Sequence, residues 1–194
     1  YFRGLELFNN LEFEQAIKLF DKSLQFSMYD RVVNAYCFYW KGEAFYKLHN
    51  YTKARTLFNE FILMPGAFST KENKIAHYNI AYTFFEQKQY SNAAIWFRKF
   101  IEVADNKKSD IYVDAAIRTG DSYYMIKDFT QAIRFYTIAI EIGKFDVEYA
   151  LFQEAFCQGL AGNQSAKIVS LNKFLKAFPG SPFYDDALFE QAEA

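Results

Sequence analysis

Apolar residues recur along this chain with the period of an amphipathic helix. Between positions 132 and 140 they are Ala132, Ile133, Phe135, Tyr136, Ala139 and Ile140. This spacing places them on one face of a helix, which can then be buried. Short polar pairs separate such segments, namely Asn9-Asn10, His49-Asn50, Lys88-Gln89, Lys127-Asp128 and Gly162-Asn163. Because these connections are so short, the two helices that each one joins are predicted to be antiparallel.

Five positions recur together in four copies. A small residue is followed by Leu or an aromatic residue, then by an aromatic residue, an alanine and a second aromatic residue. The copies read Gly4, Leu7, Phe13, Ala16, Phe20; Gly42, Phe45, Tyr51, Ala54, Phe58; Ala81, Phe84, Tyr90, Ala93, Phe97; and Gly120, Tyr123, Phe129, Ala132, Tyr136. The four alanines are 38, 39 and 39 residues apart. A looser fifth copy runs from about Glu148 to Phe178, and a sixth begins at Pro182.

Glycine and proline follow the same repeat. The prolines and several glycines lie between units, where helices must end: Pro65, Gly66, Gly143, Pro179, Gly180 and Pro182. Gly4, Gly42 and Gly120 instead lie within predicted helices, where glycine costs about 1 kcal/mol relative to alanine. Their shared position predicts that two helices approach closely there. Gly159 fits neither role.

The repeated pattern resembles the tetratricopeptide repeat, in which a small residue precedes a Tyr by three positions and an Ala precedes a Phe by four. The chain departs from that family where Phe38, His77, Ala116 and Leu151 replace an early Trp. It also departs in its longer period, so related repeats of the Sel1 type remain an alternative. The resemblance implies an all-α, right-handed α-solenoid of antiparallel helix hairpins with about eleven helices. The expected single domain, 1–194, divides into units at about 1–29, 30–70, 71–108, 109–144, 145–180 and a partial 181–194.

Composition and charge narrow the class of partner. The net charge is −1 and charged residues make up 23% of the chain, which does not favour binding to nucleic acid, because phosphate contacts need a cationic excess. The sequence has no long apolar run of the kind that spans a membrane. It begins at Tyr1 and ends within a predicted helix, so we expect a fragment of a longer protein. The high aromatic content, 21%, exceeds what a core alone readily explains.

Residues able to support catalysis or hold a metal are scarce. His49 and His77 lie 28 positions apart, the first in a turn and the second at an inward position, and metal sites need clustered ligands. Cys37 and Cys157 lie three units apart and are interpreted as small buried hydrophobes. The sequence contains no phosphate-binding glycine loop and no hydrolase or zinc-protease motif. We therefore predict no enzyme activity, no metal and no cofactor.

Some tetratricopeptide domains bind acidic chaperone C-termini through two Lys, two Asn and one Arg. Alignment of the second to fourth copies places Asn79 and Arg118 at matching positions. Tyr39, Glu43 and Asp114 stand at the other three, and the two carboxylates would repel such a ligand. The resemblance therefore argues against this class of partner.

The segment from Lys173 to Phe189 resembles repeats of bacterial cell-envelope proteins. It reads KFLKAFPGSPFYDDALF, with the Phe-Leu-Lys, Pro-x-Ser-Pro and Asp-Asp-Ala-Leu elements of repeats in outer-membrane assembly lipoproteins and the Tol–Pal coordinating protein. The resemblance implies a periplasmic or outer-membrane-associated scaffold.

In tetratricopeptide stacks the first helix of each unit lines a concave groove. The corresponding stripe is rich in tyrosine, which combines a large apolar ring with a hydroxyl and suits an interface. The predicted partner-binding residues are Tyr36, Tyr39, Trp40, Tyr46, Tyr78, Asn79, Tyr82, Phe85, Arg118, Tyr124 and Phe152. An open groove requires Tyr39, Tyr78, Tyr82 and Tyr124 to be partly accessible, whereas a tightly curled stack would bury them.

The favoured function is a non-catalytic scaffold that binds a protein or peptide segment in this groove, as a monomer without membrane insertion. Two alternatives remain from the sequence. The groove could bind a small molecule or cofactor, or the fragment could be a spacer that positions another domain of its parent chain.

Overall fold

The computed structural model describes residues 1–26 and 30–194, and that part of the chain is all-helical. The predicted end of the first repeat, at residue 29, lies outside the described residues. Eleven helices are present in the described ranges, and no strand: α1 Phe2–Asn9, α2 Phe13–Phe26, α3 Arg31–Lys47, α4 Tyr51–Leu63, α5 Glu72–Glu86, α6 Tyr90–Val103, α7 Asp110–Met125, α8 Phe129–Ile142, α9 Val147–Leu160, α10 Gln164–Ala177 and α11 Tyr184–Ala192. The predicted all-α class and helix number are confirmed.

Contacts group the chain into two compact units, Tyr1–Phe100 and Ile101–Ala194. In the compact unit Tyr1–Phe100, helices adjacent in sequence pack together from α1 to α5, and α3 also contacts α5. In the second, the same serial packing runs from α7 to α11. Each unit has its own buried clusters, with Cys37 and Cys157 as buried free thiols in different units. The single domain and the right-handed stack stay predictions.

Each helix hairpin turns through one residue with left-handed backbone. These residues are Leu11, His49, Lys88, Lys127 and Gly162, with φ of 65°, 56°, 57°, 64° and 82°. At the fourth turn, the Asp128 N–H donates to the Tyr123 carbonyl at 2.9 Å, which closes a Schellman-type end. The Asp128 carboxylate then accepts from the Gln131 N–H and caps α8. Asn50 and Asn163 cap α4 and α10 in the same way.

Four of the five predicted polar turns are therefore confirmed in place. The first is wrong by two residues, because α1 continues through Asn9 and the left-handed residue is Leu11. The polar Asn9-Asn10 pair is more typical of a turn than the apolar Leu11. The repeat register, however, places Leu11 level with His49.

We expect Lys127→Gly to raise the free energy of unfolding by up to about 1 kcal/mol. A left-handed residue with a side chain costs about 1–2 kcal/mol, and the extra freedom of glycine in the unfolded chain offsets about 0.4–1 kcal/mol of that gain. Urea denaturation measures the difference. Lys127→Ala removes the same side chain and keeps the unfavourable backbone, so equal stabilities for the two variants would contradict this origin of the strain.

The recurring small residues lie against the aromatic residue sixteen positions later. A Cβ built on Gly42 would lie 2.7 Å from the Phe58 ring, and one on Gly120 would lie 2.6 Å from the Tyr136 ring. The same contact joins Gly4 to Phe20, at 2.7 Å. The predicted close approach of two helices is confirmed, and it is an approach within each hairpin.

Gly159 has a different role, which involves Lys167. Lys167 occupies the register of the recurring alanine yet is only 6% exposed, and its Nζ lies 2.7 Å from Glu190. A Cβ on Gly159 would come within 2.7 Å of the Lys167 Cδ atom. Gly159 stands in the register held by Phe8, Tyr46, Phe85 and Tyr124 in the other hairpins. Loss of a large side chain at one position thus makes room for a long one at the other.

Candidate protein-binding surface

In the first compact unit, α3 and α5 lie side by side as the first helices of consecutive hairpins. Their adjacent faces form a half-open pocket of about 250 Å³, called here the tyrosine pocket. Its lining residues are Glu43, Tyr46 and Lys47 from α3, and Tyr78, Asn79 and Tyr82 from α5. Four of these six, all except Glu43 and Lys47, are among the residues predicted for the groove.

Hydrogen bonds between the two helices form the floor of the pocket. The Asn79 Nδ2 atom donates to the Tyr39 hydroxyl oxygen at 3.1 Å, and it also donates to the Glu43 carboxylate. Asn79 therefore ties two residues of α3 to α5. This role is structural, in addition to any contact that Asn79 makes with a ligand.

Tyr39 is not an accessible groove residue. Its side chain is 6% exposed, and its ring packs against Phe58 at 5.7 Å and Phe61 at 5.2 Å between centroids. The expectation that Tyr39 is partly accessible is wrong. Ile117, at the same register position in α7, is likewise buried, whereas Tyr78 at this position in α5 is half-buried.

The rings of Tyr78 and Tyr82 are half-buried and serve the core and the pocket together. Their centroids lie 4.8 Å apart at an interplanar angle of 70°. Tyr78 also contacts Phe97 and Phe100, at 5.8 and 5.4 Å, and Tyr82 contacts Phe97 at 5.1 Å. The two hypotheses drawn from the sequence were an open groove and self-packed rings. The rings pack on the core, and one side of them lines an open pocket.

Tyr46 completes the aromatic wall from α3. Its ring lies edge-on to Tyr51 at 5.4 Å, and its hydroxyl donates to the Glu86 carboxylate at 3.4 Å. Burial, followed by the nearby Glu86 charge, raises the pKa of the Tyr46 hydroxyl well above its ordinary value. The three rings are thus held in place by packing and hydrogen bonds before any ligand arrives.

Glu43 is the carboxylate at the base of the pocket. Loss of hydration on burial raises its pKa to about 7, and the smaller effects of Lys47 and of the Tyr39 hydrogen bond oppose that rise. Lys47 follows Glu43 by one helical turn and is exposed at the rim. The pocket therefore holds a carboxylate that pairing does not fully compensate.

The other predicted residues of the first unit lie outside the tyrosine pocket. Tyr36 stacks on Tyr1 at 5.8 Å, and Trp40 meets Phe8 edge-on at 5.2 Å. Phe85 packs against Tyr82 and Tyr90. All three residues are half-buried, and their rings contact neighbouring aromatic rings of the first unit.

In the second unit the predicted residues do not form one pocket. Tyr124 lines an open hollow of about 500 Å³ with Met125, Lys127, Phe129 and Leu160. Phe152 stacks on Phe183 at 5.3 Å. Arg118 pairs with Asp121 at 2.6 Å and with Asp114 at 3.4 Å, so two carboxylates already neutralise its charge.

Asp121 forms a polar centre that the sequence analysis did not identify. It is 7% exposed, and its Oδ1 atom accepts hydrogen bonds from the Tyr136 and Tyr149 hydroxyls, each at 2.8 Å. Its Oδ2 atom accepts from Arg118 Nη1. A signal was present, because Tyr136 replaces the phenylalanine found at this register in the first three copies, and a buried hydroxyl needs a partner.

The two histidines lie apart, His49 exposed in a turn and His77 half-buried against Trp96 at 5.8 Å. Within residues 1–26 and 30–194, no three or more His, Cys, Asp or Glu side chains are placed to hold a metal ion. None of the helices in those same ranges has the length and hydropathy needed to cross a bilayer.

Two segments of the chain match family models of known helical repeats. Residues 39–111 match one family model described as tetratricopeptide repeat, and residues 149–181 match a second with the same description. No curated protein sequence matches the chain.

Solved structures with the same fold cover most of the chain. A fragment of MamA from Desulfovibrio magneticus RS-1, residue 41 to the end, superposes with a TM-score of 0.70 at 15% identity, over 92% of this chain and 93% of that one. YrrB, described as a TPR protein with an unusual peptide-binding site, gives 0.73 at 16% identity, over 95% and 87%. BtubC from P. vanneervenii gives 0.69 at 14% identity, over 92% and 79%. At these identities the similarity establishes the fold alone.

Proposed function

We propose that this chain, which carries tetratricopeptide repeats, is a protein-interaction scaffold that binds a segment of a partner protein along α3 and α5. The observation that carries the proposal is the tyrosine pocket, a half-open hollow between the first helices of two consecutive hairpins. Its rings are held by the core, so little conformational entropy is lost when a ligand covers them. Tyrosine is also enriched among residues that dominate binding energy at interfaces.

The size of the pocket favours a side chain over a cofactor. Small-molecule sites commonly measure about 300–1,000 Å³ and enclose most of the ligand. The tyrosine pocket measures about 250 Å³ and is half open. A polypeptide segment lying across α3 and α5 could place one side chain in it. YrrB, which shares the fold, is described as having a peptide-binding site, and this supports a peptide as the ligand class.

Selection of displayed random peptides against the folded chain tests the proposal. Selected peptides should bind the Tyr46→Ala variant at least about tenfold more weakly, since removal of an interface aromatic anchor commonly costs 2 kcal/mol or more. Fluorescence anisotropy gives the dissociation constants, and thermal melts establish that both proteins are folded. Ile95→Ala is the matched control, because Ile95 is exposed on α6 and does not line the pocket. Equal binding to Tyr46→Ala and the unchanged chain would contradict the proposed surface.

We also propose that the protein works in a bacterial cell envelope. The support is the resemblance of the segment from Lys173 to Phe189 to repeats of envelope scaffolds. Cell fractionation of the protein expressed from its own gene tests this location. Recovery with the periplasm or the outer membrane is expected, and recovery with the cytosol alone would contradict it.

A further inference from the structure

We infer that the tyrosine pocket accepts a cationic side chain, the ammonium of a lysine or the guanidinium of an arginine, from the bound protein segment. This inference rests on the proposed function and names the partner chemistry that the pocket selects. It is carried by the meeting of three tyrosine rings with one carboxylate in a hollow large enough for a single side chain.

Three tyrosine rings form the aromatic walls of the pocket. Tyr78 and Tyr82 are inclined at 70° to each other, so they present differently oriented surfaces to the pocket, and Tyr46 supplies a third ring from the opposite helix. The π face of a tyrosine ring attracts an ammonium or guanidinium group within about 6 Å. Such attraction strengthens when the cation is partly removed from water.

Acidic groups around the pocket outnumber basic ones. Glu43 lies at the base, and Glu86 accepts the hydrogen bond from Tyr46 at the edge. Lys47 is the basic residue of the lining, and it lies at the exposed rim one turn from Glu43. A flexible lysine at a rim can turn into solvent, and an entering cation would then replace it beside the Glu43 carboxylate.

Other side-chain classes fit this chemistry less well. An apolar side chain would cover Glu43 and remove its remaining water without replacing the lost hydrogen bonds, which carries a large cost for a carboxylate. An acidic side chain would approach Glu43 and Glu86 with the same sign of charge. A cation instead restores to Glu43 the compensation that burial removed.

Titration of the pocket with n-butylammonium, monitored by NMR of the folded chain, tests the inference directly. At pH 8, the side-chain NH₂ signals of Asn79 should shift saturably, because this group donates to Glu43 at the floor of the pocket. The uncharged analogue n-butanol and the anion pentanoate should bind at least about tenfold more weakly, given the strength of charge-assisted contacts. Glu43→Gln should remove the preference for the cation, and Lys47→Met should strengthen cation binding.

The pH dependence of n-butylammonium binding provides a second test. The groups that act on the Glu43 carboxyl are Lys47 and Tyr39 from α3, while Tyr46, Tyr78, Tyr82 and Glu86 lie around the pocket. With the pKa of Glu43 at about 7, the carboxyl is largely protonated at pH 5.5, so n-butylammonium should bind about tenfold or more weakly there than at pH 8. Ile95→Ala, on the exposed face of α6, is the control variant and should leave the titration unchanged. Equal binding of n-butanol, or tighter binding of pentanoate, would overturn the inference.

Peptides obtained by selection separate this inference from the proposed function. In each peptide, every Lys is replaced in turn by norleucine and every Arg by citrulline. At one position the replacement should weaken binding to the unchanged chain at least about tenfold. The same replacement should weaken binding to Glu43→Gln only slightly, as expected for coupled groups in a double-mutant cycle. Peptides that depend on Tyr46 but tolerate every such replacement would overturn the cation assignment and leave the scaffold function standing. Failure of all peptides to bind α3 and α5 would remove the scaffold proposal, and the n-butylammonium titration would still report the chemistry of the pocket.

Discussion

We expect Asp121→Ala to lower the free energy of unfolding by about 3–5 kcal/mol, the range found when one partner of a buried ion pair is removed. The change removes the 2.6 Å contact of Arg118 with Asp121 and leaves the longer one with Asp114, at 3.4 Å. It also deprives the Tyr136 and Tyr149 hydroxyls of their shared acceptor, and the Tyr136 ring is fully buried. Urea denaturation followed by circular dichroism measures the loss.

Two milder variants separate the parts of this network. Tyr149→Phe removes one hydroxyl and should cost only about 0.5–1.5 kcal/mol, the net value of a typical hydrogen bond. Asp114→Ala breaks the longer contact with Arg118 and keeps the short one to Asp121, so we expect about 1 kcal/mol or less, because Arg118 stays paired and is partly exposed. A loss below about 1 kcal/mol for Asp121→Ala would show that the network does not hold the second unit together.

The repeat predicted the fold well because the same physical demand recurs in each hairpin. A glycine that recurs within predicted helices indicates close packing against a large side chain, since glycine in a helix is otherwise unfavourable. The Gly42–Phe58 and Gly120–Tyr136 contacts show the reason for that choice. The turn at Leu11 differs from the prediction because local polarity favours Asn9-Asn10, whereas the repeat register favours Leu11.

The packing of Gly159 against Lys167 could not be predicted from the repeat pattern. Each departs from the repeat when taken alone, because a lysine in the alanine register and a glycine in an aromatic register both look unfavourable. The structure makes them one compensating change, since the stem of Lys167 fills the space beside Gly159. Such a pair can be recognised only when the facing positions of the two helices are known.

The lining of the tyrosine pocket was predicted in part, because residue type and residue orientation carry different information. The tyrosine-rich stripe correctly brought Tyr46, Tyr78 and Tyr82 together. It also included Tyr39, which is buried although Tyr78, at the same position in the repeat, is half-buried. Glu43 and Lys47 are absent from the predicted binding residues because aromatic side chains defined that prediction, yet these two residues set the charge of the pocket. Whether a ring faces solvent or core depends on the neighbouring helix, which composition does not reveal.

We expect Tyr39→Ala to lower the free energy of unfolding by about 3–5 kcal/mol, as for other large aromatic residues removed from a core. The ring is 6% exposed and contacts Phe58 and Phe61, so the substitution would leave a cavity between α3 and α4. Tyr39→Phe keeps the ring and removes only the hydroxyl that accepts from Asn79, so it should cost about 0.5–1.5 kcal/mol. Tyr46→Ala, about two turns further along α3 at a half-buried position, should cost clearly less than Tyr39→Ala. Thermal and urea denaturation of the three variants gives the ranking. If Tyr39→Ala and Tyr46→Ala were equally mild, Tyr39 would be a surface residue in solution, and its place in the core of the first unit would be wrong.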